Sequence, residues 1–217
     1  MLSYEYIFFD LDGTLSDSAP GIIDSVVYAL YKLGIREEDR ASLTKFIGPP
    51  LAESFPEYYD LDSESTDRAV EYFREYYREA GILGNEMYSG VPEMLEALLS
   101  AGKRLSVATS KPEPHARIIL ERYGIADKFD YIGGSLLDNS RIHKHEVIKH
   151  VMEVRELREP KTILMVGDRA HDVDGAKKHG IDCMGVLYGY GNREELESAG
   201  AKYIAADIPD ISNIILG

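Results

Sequence analysis

The chain has 217 residues, a formal net charge of -14 and a hydrophobic content of 44%, a composition typical of soluble globular proteins. No apolar run approaches the roughly 20 residues of a membrane-spanning helix, and the N-terminus lacks a basic leader followed by an apolar core, so we expect a cytoplasmic protein. The negative charge argues against a nucleic-acid polymer or a membrane as partner, because both require basic patches, but it does not exclude a small anionic molecule.

The first predicted element is a short apolar strand that ends in two carboxylates. Bulky, β-prone residues occupy positions 6–9, and Asp10 and Asp12 follow. Alternate residues of a strand share a face, so both carboxylates are expected to point into one crevice. Such a pair suits a divalent metal, or a reaction in which one carboxylate attacks and the other transfers protons. A calcium loop is the alternative, but its twelfth position, which should be Glu, is Gly21.

The next segment is predicted to be entirely helical. Apolar residues recur at helical spacing before Gly34 and again before Gly81, whereas strand patterns resume only near Tyr88. We therefore predict a helical domain over residues 16–86, inserted into an α/β domain made of residues 1–15 and 87–217.

Aromatic residues crowd this helical segment, and they have two possible roles. They either pack its helices together, or one or two of them stack on a nucleobase. The residues are Tyr58, Tyr59, Tyr72, Phe73, Tyr76 and Tyr77.

Strands and helices alternate over the remainder of the chain. Strands are predicted at 104–109, 131–134, 162–168, 203–206 and around Cys183, and helices at 115–123, 144–155 and through Ala176. This alternation predicts a doubly wound α/β fold with a parallel sheet. Cys183 is the only cysteine, so an internal disulfide is impossible, and its strand position predicts a buried thiol.

Polar residues follow several of these strands, and the carboxyl ends of parallel strands share one edge of a sheet. The candidate site residues are Asp10, Asp12, Thr109, Ser110, Lys111, Lys144, Asp168 and Asp172. Carboxylates are the ligands that Mg²⁺ prefers, and a hydroxyl and an ammonium suit the charge of a phosphoryl group. The set therefore predicts phosphoryl transfer in which Asp10 attacks phosphorus and Asp12 transfers protons.

Four motifs in this order resemble those of the haloacid dehalogenase superfamily. The motifs are Asp10-Leu11-Asp12-Gly13-Thr14-Leu15, Thr109, Lys144 and Gly167-Asp168-x-x-x-Asp172. The resemblance implies a sheet of order 5-4-1-2-3 with a helical cap inserted after the first motif. It also implies that Asp10 is the nucleophile, that Asp12 is the acid and base, and that Thr109 and Lys144 bind the phosphoryl group. The predicted metal ligands are Asp10, Asp12, Asp168 and Asp172.

Further segments resemble a subgroup described as 5'-nucleotidase-like or phosphoglycolate-phosphatase-like. They are Phe46-Ile47-Gly48-Pro49-Pro50-Leu51, Ala108-Thr109-Ser110-Lys111-Pro112, Arg141-Ile142-His143-Lys144, Gly167-Asp168-Arg169-Ala170-His171-Asp172-Val173 and Tyr188-Gly189-Tyr190-Gly191. The resemblance implies a magnesium-dependent phosphomonoesterase for a small phosphorylated metabolite. We expect a nucleoside 5'-monophosphate, with phosphoglycolate second and a sugar phosphomutase third. Substrate contacts are predicted for Thr109, Ser110, Lys144 and Gly48.

Several alternatives stay open at this point. Lys111 is interpreted as a solvated neighbour of the site, with a direct phosphate contact as the alternative. The segment around Gly48 either ends a helix or approaches substrate, and the Tyr188 segment is a turn that is able to reach the site through its backbone. A zinc site at His143, His145 and His150 is disfavoured because cysteine partners are lacking.

Two other classes of protein were weighed against an enzyme. Receiver modules phosphorylated on Asp are shorter and lack the second acid at i+2, and a non-catalytic phosphate sensor would not need the complete set of site residues. The expected state is a monomer, with a homodimer left open.

Overall fold

The computed structural model describes residues 3–138 and 140–217. This part of the chain divides into two compact units, one made of the described residues up to Ser16 together with Met87–Gly217, the other of Asp17–Glu86. The divisions lie after residues 16 and 86, where the sequence predicts 15 and 86. None of the helices in the described ranges is long and apolar enough to cross a membrane.

The strands and helices alternate along the first unit as the sequence predicts. Over both units together, the strands are β1 (Tyr6–Phe9), β2 (Ser16–Asp17), β3 (Glu86–Met87), β4 (Arg104–Pro112), β5 (Tyr131–Ser135), β6 (Ile163–Gly167), β7 (Asp182–Val186) and β8 (Tyr203–Ala205). The α-helices are α1 (Ala19–Lys32), α2 (Leu51–Tyr59), α3 (Ser63–Glu79), α4 (Val91–Ser100), α5 (Glu113–Arg122), α6 (Lys144–Val154), α7 (Ala170–Lys177), α8 (Arg193–Ala199) and α9 (Ile208–Leu216).

Six strands form one parallel sheet, in the order β5-β4-β1-β6-β7-β8, while β2 and β3 pair separately. Read from β7 to β5 and numbered in chain order, the first five strands stand as 5-4-1-2-3, and β8 extends the β7 edge. In this register Phe9, the last residue of β1, lies beside Val107 of β4 and Val166 of β6. The central position of β1 therefore places the residue that follows it between the ends of two neighbouring strands.

The core of the first unit lies against the middle of this sheet. Phe8 of β1, Met165 of β6 and Cys183 of β7 pack in one buried cluster with Val147 of α6 and Val173 of α7. Because helices cover the strands, β6 is buried along its whole length and reads as a continuous apolar run. Cys183 is buried as predicted, and burial raises the pKa of its thiol.

The second unit consists of α1, α2 and α3 with two 3-10 helices, Arg40–Phe46 and Gly81–Leu83. Its aromatic residues pack within the unit: the Phe46 ring centroid lies 5.0 Å from that of Phe55, and Phe73 stacks on Tyr77 at 5.6 Å. The packing role predicted for the aromatic residues is thus observed for Phe73 and Tyr77. A role in stacking on a nucleobase stays a prediction.

Four helices, α2, α4, α8 and α9, have no individual prediction, although α2 lies in the segment predicted to be helical. These helices have 9, 10, 7 and 9 residues. Such short segments carry only two or three apolar turns, and α2 also contains Pro56, which normally argues against a helix. The helix predicted before Gly48 is a 3-10 helix.

Candidate active site

The predicted site residues of the first unit converge at the carboxyl ends of three adjacent strands. Asp10 directly follows β1, Asp168 directly follows β6, and Thr109 and Lys111 lie in the last part of β4. Since β4, β1 and β6 are neighbours and parallel, their ends open on one edge, as ligand sites in such sheets do. The sheet thus assembles one site from residues that are more than 150 positions apart.

Lys144 enters the site from the start of α6. Glu146 accepts hydrogen bonds from the backbone N–H groups of His143 and Ile142, both at 3.0 Å, and so defines where the helix begins. The Lys144 ammonium lies 2.9 Å from Oδ1 of Asp10 and 2.8 Å from Oδ1 of Asp172. Burial alone would lower the pKa of Lys144, but these two carboxylates outweigh it and raise that pKa.

The two oxygens of Asp10 have different surroundings. Oδ1 accepts a 2.7 Å hydrogen bond from the N–H of Leu11 in addition to its ion pair with Lys144. Within the described part of the chain, Oδ2 has neither a hydrogen bond nor an ion pair. Burial raises the pKa of the Asp10 carboxyl to about 6, with Asp172 and Asp12 adding to the shift and Lys144 opposing it. Asp10 therefore presents one fixed and one unengaged oxygen.

Asp12 forms a second buried ion pair, and this corrects the interpretation of Lys111. Nζ of Lys111 lies 2.9 Å from Oδ2 of Asp12, and the two side chains are 4% and 9% exposed. Lys111 is therefore not a solvated neighbour of the site. It was misjudged because lysine is rarely buried unless it is paired, and the sequence does not show which residue pairs with it. Oδ1 of Asp12 is buried and has no hydrogen-bond partner among the described residues.

Asp168 is fully buried, and it accepts hydrogen bonds from one backbone N–H and from the hydroxyl of Thr14, the latter at 3.5 Å. Its Oδ2 accepts a 2.8 Å hydrogen bond from the N–H of Tyr190, which confirms that the Tyr188 segment reaches the site through its backbone. A Cβ on Gly13 would lie 2.2 Å from Oδ2 of Asp168, and one on Gly189 would lie 2.4 Å from its Cβ. Both positions therefore require glycine. Burial, together with repulsion from Asp172 and Asp10, raises the pKa of Asp168.

Asp172 connects α7 to Lys144. Its Oδ2 accepts a 3.1 Å hydrogen bond from the N–H of Arg169 at the start of α7, and its Oδ1 pairs with the ammonium. Burial opposes ionisation of Asp172, but the Lys144 ammonium nevertheless lowers its pKa. Both oxygens of Asp172 are thus engaged, which suits an indirect role in the metal site.

His171 is a site residue that the sequence analysis quoted only as part of a motif. One ring nitrogen of His171 and one oxygen each of Asp10 and Asp172 lie within 4.8 Å of one another. Burial lowers the pKa of His171 to about 4, so the imidazole is neutral at physiological pH. This trio contains none of His143, His145 and His150, the residues considered for zinc; His150 instead lies 2.9 Å from the hydroxyl of Tyr131.

The remaining predicted residues have less defined surroundings. Thr109 is buried, and its Oγ1 accepts a 3.2 Å hydrogen bond from the N–H of Lys111. Ser110 is half-buried beside it. Gly48 lies in the second unit, shortly after the 3-10 helix Arg40–Phe46, and its φ is 105°. The substrate contacts assigned to these residues stay predictions.

The charges of the site fit a divalent cation. Four carboxylates lie here, on Asp10, Asp12, Asp168 and Asp172, against the two ammonium groups of Lys111 and Lys144. Burial, followed by repulsion between the carboxylates, raises the pKa values of Asp10 and Asp168, and a cation beside them would favour their ionised forms. Oxygen donors of this kind suit hard cations. Donor atoms of Asp10, His171 and Asp172 lie close enough together to share one ion, and metal ligation by Asp12 and Asp168 stays a prediction.

Comparison with known proteins places this site in a family. A family model described as haloacid dehalogenase-like hydrolase matches residues 7–186. The chain is 42% identical over 214 residues to a 5'-nucleotidase of Pseudomonas aeruginosa, covering 99% of this chain and 96% of that protein. It is 40% identical to the tyrosine-protein kinase PtkA of Mycobacterium tuberculosis (96% of this chain, 72% of the kinase) and 30% identical to a phosphoglycolate phosphatase of Vibrio vulnificus (97% and 95%).

The fold is also that of solved phosphatases. The crystal structure of a predicted phosphatase from Clostridium acetobutylicum superposes with a TM-score of 0.95 at 44% identity, covering 100% of this chain and 99% of that one. The family match, these relatives and this structure agree with the assembled aspartates and lysine at the sheet edge. The chain belongs to the haloacid dehalogenase-like hydrolase family and is a phosphatase.

Proposed function

We propose that the protein is a magnesium-dependent phosphomonoesterase that hydrolyses a nucleoside 5'-monophosphate through an aspartyl phosphate on Asp10. One observation carries the choice of nucleophile: Oδ1 of Asp10 is held by Lys144 and by the N–H of Leu11, while Oδ2 has no partner in the described ranges. A carboxylate fixed through one oxygen presents the other in a defined direction, which is what nucleophilic attack requires.

The other site residues have separate roles in the reaction. The Lys144 ammonium and the Thr109 hydroxyl stabilise the charge on the transferring phosphoryl group. Asp12 gives a proton to the leaving oxygen and later accepts one from water. A divalent cation, held by Asp10 and Asp168 with Asp172 supporting them through Lys144, supplies positive charge that offsets the carboxylates and the phosphate.

The choice of substrate is supported by the relatives. The 5'-nucleotidase of Pseudomonas aeruginosa is 42% identical over nearly the whole chain, and this favours a nucleoside monophosphate. The phosphoglycolate phosphatase of Vibrio vulnificus, at 30%, supports phosphoglycolate as the second candidate. Substrate contacts by Ser110 and Gly48 and a cytoplasmic location belong to the same proposal.

The test is phosphate release from a panel of nucleoside 5'-monophosphates, phosphoglycolate and sugar phosphates, with magnesium and with chelator. We expect kcat/KM for one nucleotide class to exceed that for phosphoglycolate at least tenfold, and chelator to abolish turnover. Preference for phosphoglycolate would replace the nucleotidase assignment. Full activity in chelator would overturn the metal requirement.

The phosphoryl acceptor needs a separate test because a 40% identical relative is named a tyrosine-protein kinase. The protein is incubated with ATP and magnesium, and its own 15 tyrosines are examined for phosphate by mass spectrometry. We expect none to be modified if water is the acceptor. Stoichiometric phosphotyrosine would instead support transfer to tyrosine.

A further inference from the structure

Lys111 is the buried charged residue of the site to which the reaction scheme above gives no role. Its side chain is 4% exposed, and its ammonium lies 2.9 Å from Oδ2 of Asp12. Burying two charges costs desolvation free energy. A buried ion pair is therefore expected where geometry or specificity requires it. Lys144 already serves Asp10 and Asp172, so the two lysines have different partners.

The contacts of Lys111 fix one oxygen of Asp12 and leave the other open. Oδ2 faces the ammonium of Lys111, whereas Oδ1 is buried without a hydrogen-bond partner in the described part of the chain. The backbone of Lys111 is itself held, since its N–H donates to Oγ1 of Thr109 at 3.2 Å. The register of β4 against β5 shifts between Ala108 and Pro112, the stretch that contains Lys111. This irregular strand end is where the site residues of β4 lie.

We infer that Lys111 is a positioning residue for Asp12, holding it as an oriented carboxylate whose Oδ1 accepts the proton of the water that hydrolyses the aspartyl phosphate. This inference rests on the proposed function. Without the ammonium of Lys111, the carboxylate of Asp12 would lose the contact that fixes its Oδ2, and Oδ1 would no longer have a defined direction. The paired lysine keeps Oδ1 in place.

Hydrolysis of the aspartyl phosphate transfers one phosphoryl group and one proton. The water oxygen bonds to phosphorus, the bond between phosphorus and Oδ2 of Asp10 breaks, and its electron pair returns to Asp10. The proton lost by water moves to Oδ1 of Asp12, and it is this proton that the leaving oxygen of the next substrate takes up. Inorganic phosphate departs, and Lys111 neither gives nor takes a proton in this scheme.

A direct phosphate contact by Lys111 makes a different prediction. A lysine that binds phosphate stabilises substrate and both transition states, so its loss raises KM and slows both halves of the reaction. A lysine that positions the base affects the hydrolysis of the phosphoenzyme, whereas an activated aryl phosphate forms that phosphoenzyme without an acid. The two roles are therefore separable by kinetics.

The experiment is rapid-quench kinetics of Lys111→Met with p-nitrophenyl phosphate and magnesium. The burst of p-nitrophenolate reports formation of the phosphoenzyme, and the steady state that follows reports its hydrolysis. We expect a burst rate within about threefold of the native rate and a steady-state rate about 100-fold lower, the usual contribution of a general base. Phosphoenzyme trapped by acid quench should approach one equivalent.

Further variants make the result decisive. Lys103→Met removes another buried lysine, one that bonds the carbonyl oxygen of Tyr4 at the opposite end of β4, and it should leave the ratio of burst to steady-state rate unchanged. Asp12→Asn should reproduce the trapped phosphoenzyme, and adding Lys111→Met to it should slow hydrolysis no further. If Lys111→Met fails to fold by circular dichroism, Lys111→Gln is assayed in the same way.

The outcomes separate this inference from the proposed function. If the native protein releases no p-nitrophenolate with magnesium, the proposed function fails first. If the native protein turns over but Lys111→Met shows a higher KM and an equal loss in both phases, Lys111 binds phosphate and the positioning role is wrong. Additive losses in the double variant would also overturn it.

Discussion

At the scale of single residues, two lysines divide the chemistry of two carboxylates. Lys144 holds Oδ1 of Asp10, and Lys111 holds Oδ2 of Asp12, each at 2.9 Å. In both pairs the second oxygen is unengaged within the described residues. Each ammonium thus offsets the cost of a buried carboxylate and orients it at the same time, leaving one oxygen for attack and one for proton transfer.

Replacing Asp10 with Asn should abolish turnover and stabilise the metal-free protein. Burial raises the pKa of Asp10 to about 6, above its ordinary value of 3.8, so ionised Asp10 destabilises the fold. A shift of that size corresponds to roughly 3 kcal/mol near neutral pH. The contribution of the Asp10 carboxyl to the free energy of unfolding is therefore complete below about pH 4 and is lost as pH rises through about 6. Thermal melting in chelator, at about pH 7.5 and about pH 5, measures it.

The expected result for Asp10→Asn is a melting temperature above that of the native protein at both pH values, with a difference at about pH 5 roughly half as large as at about pH 7.5. Asp67→Asn, in an exposed position of α3, is the matched control and should change neither value. Lower stability of Asp10→Asn at both pH values would show that its ion pair with Lys144 outweighs the cost of burial. Retained activity would refute the assignment of Asp10 as nucleophile.

At the scale of secondary-structure elements, close packing of α7 against α6 places Lys144. A Cβ on Gly175 of α7 would lie 2.8 Å from Cγ of Lys144 and 3.2 Å from the backbone nitrogen of His145. Glycine normally weakens a helix interior, so its presence in α7 is explained by this approach rather than by helix propensity. The interhelical contact keeps the ammonium between Asp10 and Asp172.

Gly175→Ala should therefore reduce both activity and stability. The added methyl group has no space, so Lys144 or α6 must shift, at a cost of about 1–3 kcal/mol for overpacking. We expect kcat to fall at least tenfold, since a displacement of about 1 Å in a reacting group has effects of that order or larger. Asp174→Ala, exposed on the same helix, is the control. Native activity in Gly175→Ala would mean that the packing tolerates movement without affecting the site.

At the scale of the whole molecule, a magnesium ion should couple the stability of the fold to pH. The carboxylates that would hold it have raised pKa values because of burial and mutual repulsion, so protons compete with the cation. At ten times its dissociation constant, a ligand stabilises the folded state by about 1.4 kcal/mol, which corresponds to roughly 3–6 °C for a chain of this size.

We expect this magnesium-induced rise in melting temperature at about pH 7.5 and a much smaller one at about pH 5. Asp168→Asn should lose the rise at both pH values, because it removes a carboxylate proposed as a ligand. Calorimetry with magnesium and with chelator provides the measurement. An equal rise at both pH values, or an unchanged rise in Asp168→Asn, would place the binding site elsewhere.

Much of the fold and of the site was predictable because local sequence patterns determine the strands and the residues that follow them. The apolar run of β1 followed by Asp10 and Asp12, and the apolar run of β6 followed by Asp168, are strand patterns that end in charge, and burial of each strand follows from its composition. Gly34 after α1 and Gly81 after α3 indicated where two helices end. Helices as short as α2 and α8 lacked such a signal.

The sequence by itself determined which chemical groups the site contains and in what order the strands supply them. The tertiary structure alone decided how those groups pair: Lys111 with Asp12 rather than with solvent, Lys144 with Asp10 and Asp172, and Tyr190 with Asp168. The reason is physical. Strand and helix periodicity act over a few residues, whereas an ion pair depends on distances and burial set by elements far apart in the chain.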